Sequence, residues 1–268
     1  MPETSTGTTT TTGCWLYAVT REVDRRSLES SAGVAGEPLR TVESAGLIAV
    51  LGTVPLDSFG EEALHRNLED LDWLSRVARA HDAVVDKVAR RSAAVPLRLA
   101  TVYLDDERVR ATLEARERDF ARALDRVTGR TEWGVKALVE PSHGGEPELA
   151  AKGSGQAKPG AGAAYLRRRR EQMTAREQGE RVAVEQAERA HAVLARLAAA
   201  NRLHPPQSRQ LSGDTNPMIL NAAYLVDEAA AREFTRAVAA LDDELDAIRL
   251  QLTGPWPPYS FAALEETP

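Results

Sequence analysis

The chain has 268 residues, of which 43% are apolar and 28% charged, and a net charge of −6. It is long enough for one large or two ordinary domains with a real core. No run approaches the ~18 apolar residues of a membrane span, the lone Cys14 cannot form an internal disulfide or a Cys-based zinc site and fits a reducing cytoplasm, and the acidic balance weighs against nucleic acid.

In chain order, residues 1–13 are rich in threonine, lack the basic and apolar stretches of a secretory signal, and read as a disordered tail. Cys14 to Thr20 reads as a strand, followed by one or two helical turns ended by Gly33. Two β-type runs flank a turn at Ser44-Ala45-Gly46, where Gly46 supplies the freedom a tight reversal needs. From Asp57 or Ser58 to about Arg91, apolar residues at steps of three and four predict one long helix. A strand beginning at Pro96 completes βαββαβ, the ferredoxin-like plan, over residues 14–104.

Residues 105–130 read as a charged connecting helix with Leu113, Phe120, Leu124 and Val127 on one face, and Glu132 to Glu140 as a strand. Residues 141–162, rich in glycine, proline and serine, read as a mobile loop. The 163–202 segment is helical but carries few large aliphatic residues, which predicts a helix that projects or lies across a surface. "PPQSRQL" and "NPMILNAAYLV" read as strands, the stretch from Asp227 to Leu245 as a helix, and "AIRLQLTG" as a closing strand. The expected architecture is therefore α+β: two ferredoxin-like domains, 14–104 and 131–261, joined by the charged helix, with a projecting helix in the second and a tail over 262–268.

Candidate chemistry is sparse. The five histidines show no metal-ligand pairing, no G-x-S-x-G exposes a nucleophilic serine, and "GSGQAKPG" lacks the Gly-Lys-Ser/Thr ending of a phosphate loop. The functional reading of His81-Asp82 is an acid/base pair, but adjacent helical residues point ~100° apart, and a hydrogen bond tying helix to sheet is the better reading. No catalytic, metal or cofactor-binding residue is assigned, and no enzymatic activity is expected. Arg167, Arg168, Arg169 and Arg170 form a positive patch that reads either as a solvated helix start or as a dock for an acidic surface. Tyr165 is the one aromatic residue nearby, too little to stack successive bases. In "TGPWPPYSF", Pro255, Pro257 and Pro258 end the strand near Gly254 and leave a stiff arm carrying Trp256, Tyr259 and Phe261. That arm either packs on the second domain or hooks a partner, with stiffness lowering the entropy lost on docking.

"GPWPPYSF", "AGAAYLRRRREQ", "HDAVVDKV" and "VPLRLATVYLDDERVRATL" together resemble the F/L family of gas vesicle proteins, in the family's order from Trp15 to Phe261. The chain departs from the family pattern in having His81-Asp82 for His-Glu, and "PLRLAT" (Pro96 to Thr101) for Pro-Leu-Arg-Phe-Gly-Thr. The resemblance implies a non-enzymatic accessory or minor structural protein of cytoplasmic gas vesicles, with two α+β domains and no cofactor. It further implies binding to the small hydrophobic shell protein, and to other accessory proteins, in nucleating or building the wall. Neither nucleic acid nor a lipid membrane is an expected partner. Strand addition at open sheet edges would suit such a client. An enzyme with a site between the two domains and an RNA-binding module are the alternatives; the first lacks a credible constellation, and the second is opposed by charge and by 5% aromatic content.

Overall fold

The computed structural model describes residues 11–140, 161–206 and 216–262, so most of the expected tails and of the 141–162 loop lies outside the described residues. The chain divides into two compact units, Met1–Glu132 with Pro255–Pro268, and Trp133–Gly254.

The first unit begins with β1 (Thr12–Thr20), α1 (Arg25–Glu29) and the hairpin β2 (Leu39–Ser44) and β3 (Leu47–Pro55). The hairpin turns on Ala45 and Gly46, both at positive φ (53° and 71°), the two-residue geometry whose twist matches that of the strands. The single helix expected to reach Arg91 is three helices: α2 (Leu56–Phe59), α3 (Glu61–Asn67) and α4 (Leu71–Ala89). Gly60 separates the first two, and Asp70 restarts the chain as an N-cap, its carboxylate accepting from the N–H groups of Asp72 and Trp73. Apolar periodicity survives both breaks, so it could not reveal them.

The strand expected from Pro96 is two short ones, β4 (Ala94–Pro96) and β5 (Val102–Tyr103). Between them Ala100 sits at φ 66°, the left-handed region in which a Cβ is strained. This is the glycine position of "Pro-Leu-Arg-Phe-Gly-Thr". Ala100→Gly is expected to stabilise the unit by about 1 kcal/mol, a rise of about 2–4 °C in melting temperature; calorimetry showing no rise would contradict the strain.

The sheet runs β2-β3-β1-β4, with β5 also paired to β1, and the pairings are antiparallel. β1 is central and buried on both faces. Trp15 meets α4 through His81, while its neighbour Cys14, on the opposite face by strand alternation, meets Asp106. Asp106 opens α5 (Asp106–Ala115), which α6 (Glu117–Val127) follows. The segment expected to connect two domains is thus a broken helix pair that covers the sheet's second face, burying Val109, Leu113, Phe120, Leu124 and Val127. Its apolar stripe was legible, but its place in the first unit was not.

In the second unit, β6 (Arg130–Val139), α7 (Ala161–Leu197), β7 (Ala200–Leu203), β8 (Met218–Asp227), α8 (Ala231–Glu244) and β9 (Ile248–Trp256) build a four-stranded sheet ordered β7-β8-β6-β9. Numbered within its own sheet, each unit therefore has the strand order 2-3-1-4. β7 takes the residues expected to end the long helix, while most of "PPQSRQL", expected as a strand, lies outside the described residues. Ala183, Ala187, Ala190 and Leu194 of α7 are buried at helical spacing beside Phe234, Val238 and Leu241 of α8. Small side chains let α7 lie close to the sheet. β9 continues past Gly254 to Trp256, beyond its expected end, because an edge strand tolerates the donor that Pro255 lacks.

Candidate functional site

His81 and Asp82 lie in the middle of α4 but serve different partners. The buried His81 accepts the indole N–H of Trp15 at Nδ1 (3.0 Å) and lies 3.1 Å from the Leu97 carbonyl through Nε2. Because an indole can only donate, Nδ1 is the acceptor, and Nε2–H donates to Leu97. The imidazole is neutral and both its nitrogens are used, one tying α4 to β1 and the other to the residue after β4. Burial holds its pKa below the ordinary 6.5. The unfolded chain then binds the extra proton first, so this contribution to stability is full above pH 6.5 and is lost as pH falls through the folded-state value. Urea midpoints should fall between pH 7.5 and 5.5 more steeply for the wild type than for His81→Gln; equal slopes would contradict this.

Asp82 faces the closing segment, accepting a hydrogen bond from the Tyr259 hydroxyl (2.8 Å). Burial, then this bond to a carboxylate, raises the Tyr259 pKa. Next to it, the carboxylate of Glu132 accepts both the N–H (2.8 Å) and the hydroxyl (2.6 Å) of Ser260. Arg126 of α6 donates to the Phe261 carbonyl (3.3 Å). Pro257, Pro258, Phe261 and Ala262 are buried, and Phe261 and Ala262 donate backbone N–H groups to the Pro258 carbonyl, forming a tight turn. The arm is therefore a strap integral to the first unit rather than a cover for the second domain. Glu132, where the chain leaves this unit, clamps Ser260 soon after it returns.

The strap sorts its three aromatic residues. Phe261 is 6% exposed and anchors it; Tyr259 is at the margin of exposure and bonded to Asp82; Trp256 is 54% exposed. Sequence reasoning singled out Asp82 without its partner and missed Arg126, Glu132 and Ser260. They lie more than a hundred residues from their partners in sequence, apart from the adjacent strap residues themselves, and no local pattern could have paired them.

The arginine patch lies in the first part of α7. Arg167, Arg169 and Arg170 are exposed, while the side chain of Arg168 lies outside the described residues. From Arg167 to Val182 no described side chain is buried, so this half of the helix stands clear of the core that begins at Ala183. The patch belongs to the second unit and the strap to the first.

Elsewhere, Arg40 forks onto Asp106 (2.8 and 2.9 Å) and donates to the Cys14 sulfur (3.3 Å). Burial raises the Cys14 pKa, and the Arg40 bonds hold Asp106 below the usual carboxylate range. This is a structural ion pair over a buried, unreactive thiol. Among the described residues no group of His, Cys, Asp or Glu is placed to hold a metal ion, and no helix is long and apolar enough to cross a membrane.

Residues 13–263 match the family model described as "Gas vesicle synthesis protein GvpL/GvpF". The chain is 42% identical over 252 residues to gas vesicle protein L of a Streptomyces species, covering 94% of this chain and 93% of that one. It is 28% identical to gas vesicle protein F of a Streptomyces species, covering 92% and 98%. The fold is similar to the crystal structure of the gas vesicle protein GvpF from an Anabaena species, with TM-score 0.65, 18% identity and coverage of 95% and 98% of the two chains. It is also similar to GvpF from Microcystis aeruginosa, with TM-score 0.63, 19% identity and coverage of 94% and 99%. The resemblance carried by the sequence motifs therefore holds over almost the whole chain: this protein belongs to the GvpL/GvpF family and has a role in gas vesicle formation.

Proposed function

We propose that this protein is a non-enzymatic assembly protein that binds the small hydrophobic gas vesicle shell protein in the cytoplasm and aids nucleation or growth of the wall, alongside other accessory proteins. Supporting a binding role, the histidine and carboxylate nearest to a catalytic pair, His81 and Asp82, are both committed to bonds that hold the fold. The shared strand order and the interleaved helices support reading both units as variants of the ferredoxin-like plan, the first with α5 and α6 added over its second face.

The observation that carries the reading is Trp256. An indole more than half exposed, fixed between Pro255 and the clamped strap, is a pre-organised apolar anchor that loses little entropy on binding. Tyr259 extends this surface, Phe261 contributes by anchoring it from below, and Arg167 to Arg170 form a separate electrostatic contact. Side-chain docking fits better than strand addition at β9, where the Leu250 N–H is already taken by the Asp242 carboxylate (2.6 Å) and Pro255 lacks a donor.

In a host that builds gas vesicles from a cluster including this gene, Trp256→Ala should sharply reduce vesicle number by electron microscopy while the protein accumulates at its usual level. Normal vesicles with that variant would remove Trp256 from the contact surface.

A further inference from the structure

The exposed half of α7 carries charge that its own helix does not reward. Arg167 to Arg170 crowd four like charges toward the helix's positive end, and its first turn has no acidic residue. Arg167, Arg169 and Arg170 make no ion pair among the described residues, whereas Arg176 further along pairs with Glu180 (3.0 Å). Met173, 56% exposed, follows Arg169 and Arg170 by four and three residues, so these three share one helix face. That face is basic with an apolar centre.

The complementary surface lies on the same chain, in the first unit. The corner between α3 and α4 reads Leu68-Glu69-Asp70-Leu71-Asp72. Leu71 is 75% exposed and Leu68 is exposed beside it. Asp70 is spent on capping α4, but the carboxylates of Glu69 and Asp72 are exposed and have no ion pair among the described residues. Asp57, Glu61 and Glu62 add exposed negative charge nearby in sequence, and Arg66 is the one Lys or Arg between residues 57 and 72. An acidic corner with leucines at its centre matches a basic helix face centred on methionine in both charge and apolarity.

We propose that the Arg169–Arg170–Met173 face of one copy docks on the Leu68–Asp72 corner of a second copy of this chain. The two surfaces differ, so each copy offers one of each kind, and the contact is met either reciprocally in a pair or head-to-tail in a longer series. This builds on the reading of the arginines as a contact surface and does not depend on shell-protein binding, because it is tested on the purified chain alone.

Sedimentation velocity is the test. The expected result is a mass that rises with protein concentration at about 50 mM NaCl and returns to the monomer at about 500 mM, as screened surface charges require. Arg169→Glu with Arg170→Glu, or Glu69→Arg with Asp72→Arg, should each weaken self-association at least about tenfold. Mixing the two charge-reversed proteins should restore it, since each then meets a complementary surface, and this recovery also shows that both variants are folded. A wild-type chain that stays monomeric at low salt, association unmoved by either reversal, or no recovery on mixing would each overturn the proposal.

Discussion

Replacing Phe261 with alanine should cost the first unit about 3 kcal/mol, within the range for removing a buried aromatic ring. Substitutions in a free, undocked arm are usually harmless, so a large loss at Phe261 discriminates between an integral strap and a free arm. The ring is buried, its carbonyl is held by Arg126, and its neighbour Ser260 is gripped by Glu132. Shrinking the ring opens a cavity beneath the strap and loosens the turn that presents Trp256. Trp256→Ala, by contrast, removes an exposed side chain and should change stability by less than about 0.5 kcal/mol. Urea denaturation of the two variants checks both values. Comparable small effects would mean that the strap is not part of the core.

A single methyl group at Gly52 should be almost as damaging, at about 3 kcal/mol, from overpacking combined with broken hydrogen bonds. Gly52 lies in β3, paired with Trp15 on one side and Leu39 on the other. A Cβ there would come within 2.1 Å of Glu37 Oε1. Glu37 cannot easily retreat, because it accepts a bond from the Tyr17 hydroxyl (2.6 Å) and another from the Ala35 N–H (2.8 Å). Tyr17 in turn accepts from the Val34 N–H (2.8 Å), so one carboxylate organises the loop before β2. Burial and the Glu37 bond raise the Tyr17 pKa, which keeps this hydroxyl a donor. Combining Gly52→Ala with Glu37→Ala should cost less than the sum of the two changes, by about 1–3 kcal/mol. Additivity in thermal unfolding would mean that Gly52 and Glu37 do not share this space.

The element plan was legible because periods of two and of three to four residues mark strands and helix faces wherever one side is buried. It is enough to place β1, the β2–β3 hairpin, β6, β8, α8 and β9 within a few residues of where they lie. The corrections share a cause: each depends on something other than apolar period. Asp70 breaks a helix through two backbone hydrogen bonds, and Ala100 breaks a strand through a left-handed φ. The destination of α5 and α6 is set by which face of β1 needs cover. At the candidate surface, the unusual residue types of the strap and the arginine patch were visible. Which of the strap's aromatic residues faces inward was not, since Tyr259 and Phe261 are separated only by their long-range bonds to Asp82 and Arg126.

The most direct test of the account is a soluble-complex assay with the major shell protein of a gas vesicle cluster that carries this gene. The shell protein is co-expressed with a tagged copy of this chain, either wild type or Trp256→Ala, and the captured complex is quantified with folding monitored by circular dichroism. The account predicts that the wild-type chain carries the shell protein into the soluble fraction and that the Trp256 variant, equally folded, retains at most about a tenth as much, as expected for loss of an aromatic anchor. A folded wild-type chain that captures no shell protein would contradict the central claim.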